Sequence, residues 1–185
     1  LYTMCRVCFY LVNSELFNEF GAQKFARIFL GGFKFDIVAI IYVNILFILS
    51  QIIPWKFKYR ASYQSVVKWI FIITNSIALF ANVGDAAYYK YTLKRTTSTF
   101  FAQFGEESNI VGVGLQTIVD YWYLSIFLIA LIALLVFFYN RIRIVRPNTF
   151  KISTYALQSV AFVLIVGLCV IGVRGGWRHS TRPIT

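Results

Sequence analysis

Acidic residues are scarce in this sequence. Seven Asp and Glu stand against 18 Lys and Arg, for a formal net charge of +11, and charged residues of both signs make up only 14% of the chain. So few carboxylates leave no His/Cys/Asp/Glu cluster with metal-ligand spacing. The single histidine, His179, lies beside Ser180 in a basic tail. With no acid to orient it, that neighbour does not make a nucleophile–base pair. Of the three cysteines, Cys5 and Cys8 have redox-like spacing but sit in an apolar segment with no second pair or histidine to accompany them. Packing explains them better than metal or redox chemistry. The glycines of Val111-Gly112-Val113-Gly114 are not followed by Lys-Ser/Thr, which excludes a phosphate loop. No basic run with interleaved aromatics lies away from the apolar segments, so the positive charge does not indicate a nucleic-acid partner.

What the chain has in excess is hydrocarbon. It is 59% hydrophobic with a mean hydropathy of +0.69, where soluble domains are about 45–50% apolar and about 25% charged. The excess falls in long runs, so the sequence predicts an all-α, polytopic transmembrane helical bundle, with full spans over 35–53, 67–87, 118–139 and 153–173. A spanning helix needs about 20 residues. Residues 1–13 are therefore read as the tail of a first span, stopped by Asn13 and Ser14. Phe17, Phe20, Phe25 and Phe29 recur at near-helical spacing and predict a short amphipathic helix lying on the membrane, ended by Gly31-Gly32. Asp36 then opens the second span, where a helix N-terminus favours a carboxylate. The amides Asn75 and Asn82 inside the third span predict bonds to neighbouring helices. The chain begins with Leu1 in mid-run and stops at Thr185 with no terminating feature, and is expected to be a fragment of a longer protein.

The stretch 82–101 concentrates the polar chemistry. A hinge is expected at Asn82, Gly84 and Asp85. Tyr88, Tyr89 and Tyr91 follow, then a basic, hydroxyl-rich run with Lys90, Lys94 and Arg95. This is the pattern of a helix leaving the hydrocarbon through an aromatic belt into a zone that favours phosphate. A carboxylate at the depth of Asp85 is costly unless it has a partner, which makes it a candidate site residue, with snorkelling at the boundary as the alternative. Orientation follows from the short connections. Lys56, Lys58, Arg60 and Lys68 in 54–68, and Arg141, Arg143, Arg146 and Lys151 in 140–152, come without any acid. Dense, short basic loops are cytoplasmic, which places 86–116 and the C-terminus outside.

Four stretches resemble the membrane portion of the lipoteichoic acid synthase family, bacterial members of the alkaline phosphatase/sulfatase superfamily. They are Arg6-x-x-Phe9 with Asn13, then Gly31-Gly32-Phe33-Lys34-Phe35-Asp36, then Asn82-x-x-Asp85-x-x-Tyr88 with Lys94-Arg95-Thr96, and Arg174-Gly175-Gly176 through Arg182-Pro183-Ile184. The resemblance implies five membrane helices preceding an extracytoplasmic α/β domain that is absent from this chain. That domain would carry a threonine nucleophile and a divalent metal, manganese in most members, and would transfer a phosphoglycerol-type lipid headgroup. No catalytic, metal or cofactor residue carries over to the chain itself.

The expected role is thus membrane anchor and lipid-presenting domain in a multi-pass protein of the bacterial plasma membrane. Its partners would be anionic phospholipid headgroups and its own downstream domain. The headgroup-binding candidates are Asp36, Asp85, Lys90, Lys94, Arg95, Arg178 and Arg182. The alternatives are a small transporter or channel subunit, and a non-catalytic assembly subunit. A transporter would place polar residues at the bilayer midplane, whereas Asp36, Asp85 and Asp120 are expected near span ends.

Overall fold

The computed structural model describes residues 1–17, 22–93, 116, 118–142 and 152–174. Among them the fold is all-helical, with no strand. Its α-helices are α1 (Tyr2–Val12), α2 (Ala22–Ile52), α3 (Ala61–Thr92), α4 (Trp122–Arg141) and α5 (Ile152–Arg174), with 3-10 turns at Ser14–Phe17 and Lys56–Tyr59. Four stretches are long and apolar enough to cross a membrane: Phe29–Ile52, Ala61–Lys90, Trp122–Arg141 and Tyr155–Gly172. Large apolar side chains point outward from every one of them, including Leu46, Ile77, Ile129 and Leu168. Helices apolar on all faces are stable where lipid is the solvent, so the chain is a multi-pass membrane protein.

Four sequence expectations are corrected. The amphipathic helix ended by Gly31-Gly32 does not form, because α2 runs unbroken from Ala22 through both glycines to Ile52. Each helical glycine costs about 1 kcal/mol relative to alanine, too little to break a helix continued by a long apolar run. Asp36 therefore lies well inside α2 rather than in its first turn, beyond the reach of the helix macrodipole. The hinge at Asn82, Gly84 and Asp85 is likewise absent, since α3 is continuous to Thr92. Asn82 Nδ2 donates to Ala78 O at 2.8 Å within its own helix, so among the described residues it braces α3 and not a neighbour. The helix ends at Thr92, and Leu93 just after it adopts φ 53° and donates its N–H to Tyr89 O at 2.9 Å. This is the left-handed cap that glycine more often supplies.

The chain divides into two units. The first comprises Leu1–Gly21 and Ser76–Phe137. Its core joins Cys5 of α1 to Leu79, Val83 and Ala87 of α3 and to Leu124 and Leu131 of α4, with Val12 and Phe127 packed against it. The spacing 79, 83, 87 is one face of a helix, and valine and alanine at the last two positions let the helices approach closely. Cys5 is buried in this core and forms no disulfide, the packing role its apolar setting implied.

The second unit comprises Ala22–Asn75 and Phe138–Thr185. Here α2 packs on α5, closely enough that a Cβ on Gly172 would come within 2.5 Å of Ile41 Cδ1. Asn44 and Asn75, both buried, exchange bonds between α2 and α3. Asn44 Nδ2 donates to Asn75 Oδ1 at 3.1 Å and Asn75 Nδ2 to Asn44 Oδ1 at 2.6 Å. Phe47, Phe71 and Tyr139 stack beside them with ring centroids 4.6 to 6.2 Å apart.

Candidate functional site

The first unit holds a buried carboxylate. Asp85 is 7% exposed in the last third of α3, next in sequence to the core residues Ala86 and Ala87. What fixes this end of α3 against α1 is Asn13, the residue that closes α1 and itself only 2% exposed. Its Nδ2 donates to Ala86 O at 3.1 Å and to Phe9 O at 3.0 Å, and its Oδ1 is buried with no hydrogen-bond partner among the described residues. A carbonyl oxygen left bare in an apolar setting costs free energy. Phe9 stacks on Tyr89 at 5.0 Å between centroids, and Tyr88 and Tyr89 are both half-buried. The next residue, Lys90, is exposed. Asp85, Tyr88, Tyr89 and Lys90 thus share the C-terminal end of α3, buried at Asp85 and exposed at Lys90.

Of the sequence candidates, Asp85 and Lys90 fall on the same end of α3. Asp36 is half-buried in α2 and belongs to the second unit. Lys94, Arg95, Arg178 and Arg182 lie outside the described residues, as do the glycines of 111–114 and the loop cations Arg143, Arg146 and Lys151. Among the described residues, no group of three or more His, Cys, Asp or Glu side chains is placed to hold a metal ion. Asp120 accepts from Gln116 Nε2 at 3.3 Å in an exposed setting.

Two features were hidden from sequence reasoning. Asn13 reads as a helix stop, and nothing local shows that its amide is a tertiary bond. The other is the polar cap on the C-terminus of α2. The last carbonyls of a helix have no partner within it. Here Ile53 N–H takes Leu49 O, Tyr63 Oη donates to Ser50 O at 2.7 Å, and Lys58 Nζ donates to Gln51 O at 3.3 Å. Gln51 and Gln64 exchange amide bonds at 3.0 and 3.3 Å, and Gln64 Nε2 also donates to Lys58 O. Lys58 is buried in this knot, and desolvation holds its ammonium below the ordinary lysine value. A cation at a helix C-terminus complements the macrodipole, which is why a lysine is stable there. The sequence signal was weak, two glutamines flanking a basic turn.

No known protein family matches this chain, and neither a curated protein nor a solved structure does.

Proposed function

We propose that this chain is the membrane domain of a lipoteichoic acid synthase-like enzyme of the alkaline phosphatase/sulfatase superfamily. In this reading it anchors an extracytoplasmic catalytic domain to a bacterial plasma membrane and presents a phosphoglycerol-type lipid headgroup to it. Bond-breaking, with the threonine nucleophile and the manganese that the resemblance implies, belongs to that downstream domain. The observation that supports the reading is the burial of Asp85 inside a membrane helix, just before the cations Lys90, Lys94 and Arg95. An intramembrane carboxylate is retained where it does something, and here it orients the basic run toward a lipid phosphate. The rival reading, a small transporter, asks for open polar groups at mid-span. Asn44 and Asn75 donate instead to one another and to Ile40 O and Phe71 O, which favours an anchor.

The test is kinetic, on the full-length protein. Charge-assisted hydrogen bonds are worth about 1.5–3 kcal/mol, so Asp85→Asn and the double variant Lys94→Ala/Arg95→Ala should each raise KM for lipid substrate by roughly ten- to hundredfold. Protein abundance and turnover of a water-soluble analogue should stay near wild type. Unchanged lipid kinetics in both variants would refute the site, and a collapse in abundance would make Asp85 structural. A gene continuing past Thr185 into a domain with a threonine nucleophile and Asp/His metal ligands separates the enzyme from a non-catalytic assembly subunit.

A further inference from the structure

Asn13 closes α1 with φ −109°, outside the left-handed region where asparagine has an advantage over most residues. The helix end therefore does not call for this side chain. Burying an amide is costly, and here Oδ1 has no partner among the described residues. Nor do the two bonds from Nδ2 supply a carbonyl that would otherwise be bare. Phe9 O already accepts the backbone N–H of Asn13 at 3.2 Å. Ala86 O lies inside α3, where its ordinary partner is the N–H four residues on, that of Lys90. For stability alone a leucine, with the same branched outline, would serve as well. It leaves no backbone group unmet and takes away a bare oxygen.

What the amide does supply is geometry. Phe9 and Asn13 are four residues apart and share one face of the α1 end. They meet α3 at two points about one turn apart. Asn13 Nδ2 donates to Ala86 O at 3.1 Å, and Phe9 stacks on Tyr89 with ring centroids 5.0 Å apart. The bond from Nδ2 to Phe9 O at 3.0 Å ties the amide to its own helix before it reaches across. Ring pairs are favourable over centroid separations of about 4.5–7 Å, so the stacked pair tolerates sliding. A hydrogen bond weakens steeply with angle, so of the two contacts it is the amide that sets the rotation of this turn of α3. Asp85 is the residue before Ala86 and lies four before Tyr89, on the same face as that ring. Any rotation of the turn about the helix axis moves its buried carboxylate.

We propose that Asn13 is a positioning residue for Asp85: through its bond to Ala86 O it fixes the rotation of the end of α3, and with it the direction of the carboxylate. The inference rests on the lipid-presenting reading of Asp85 and adds to it a residue of α1 that need touch no lipid itself. A purely structural amide would show its loss in stability. A positioning amide shows it in lipid engagement, with the fold kept.

The experiment is steady-state kinetics of the full-length protein on phosphatidylglycerol, for Asn13→Leu, Asn13→Ala, Asp85→Asn and the double variant Asn13→Leu/Asp85→Asn. Asn13→Leu should raise KM about two- to tenfold, the range set by one neutral hydrogen bond. Its kcat, abundance and thermal unfolding in detergent should stay near wild type. Asn13→Ala, which removes the amide without adding bulk, should show the same change in KM. The double variant should have the KM of Asp85→Asn alone, because the amide acts through the carboxylate. Wild-type KM in both Asn13 variants, with KM raised in Asp85→Asn, would overturn this inference and leave the lipid-presenting reading standing. Wild-type KM in Asp85→Asn would remove that reading and the inference with it. Effects that multiply in the double variant would make the amide an independent contact, and a collapse in abundance of both Asn13 variants would make it structural. Either result overturns the positioning role.

Discussion

A side-chain amide in hydrocarbon is stable only when its donors are met, and Asn44 and Asn75 meet theirs through each other and through their own helices. Asn44 Nδ2 also reaches Ile40 O at 3.0 Å, and Asn75 Nδ2 reaches Phe71 O at 2.8 Å. Interhelical side-chain bonds in membranes average about 0.6 kcal/mol and reach about 1.7. A reciprocal, buried pair belongs near the upper end. A double-mutant cycle of Asn44→Ala and Asn75→Ala in detergent unfolding should therefore show a coupling of about 1–1.7 kcal/mol. Additive losses would mean that the two amides stabilise their own helices and not the contact between them. Asn75 was legible as an interhelical amide because a polar residue in a span has few other uses. Asn44 carries the same signal within its own span, but which amide it meets depends on packing. Asn13 was not legible, since a capping residue and a tertiary donor are the same letter.

Helix boundaries show where local signals lose to continuity. Gly31-Gly32 and Asn82-Val83-Gly84-Asp85 look like breaks, yet both stretches are helical, each adjoining a long apolar run on one side: 37–49 follows the first and 66–81 precedes the second. Four long apolar helices were legible from hydropathy alone, but α2 begins at Ala22 where the expected span begins at 35, and α3 at Ala61 where it begins at 67. The glycines now separate by environment. A Cβ at Gly84 would meet nothing within 4 Å, so Gly84→Ala should stabilise the protein by about 0.4–1 kcal/mol through the unfolded chain and helix propensity. A branched side chain at Gly172 would push on Ile41 across the α2/α5 contact, so Gly172→Val should destabilise. Chemical unfolding in detergent measures both. Destabilisation by Gly84→Ala would mean that the position serves a contact or a bend that the unbroken helix does not display.

At the scale of the whole molecule, the account requires one orientation. Asp85 and Lys90 can serve lipid headgroup chemistry outside the cell only if the C-terminal end of α3 is outside, with the basic turn at 56–60 and the loop 140–152 in the cytoplasm. The acid-free density of Lys and Arg in those two connections supports this. The measurement that tests it most directly is labelling with a membrane-impermeant maleimide in intact cells. Single cysteines are placed at Ser62, Ser108 and Asn148 after Cys5, Cys8 and Cys169 are replaced. The cysteine at 108 should label, and those at 62 and 148 should label only after the membrane is permeabilised. Labelling of 62 and 148 in intact cells with 108 protected would invert the chain and contradict the proposed function.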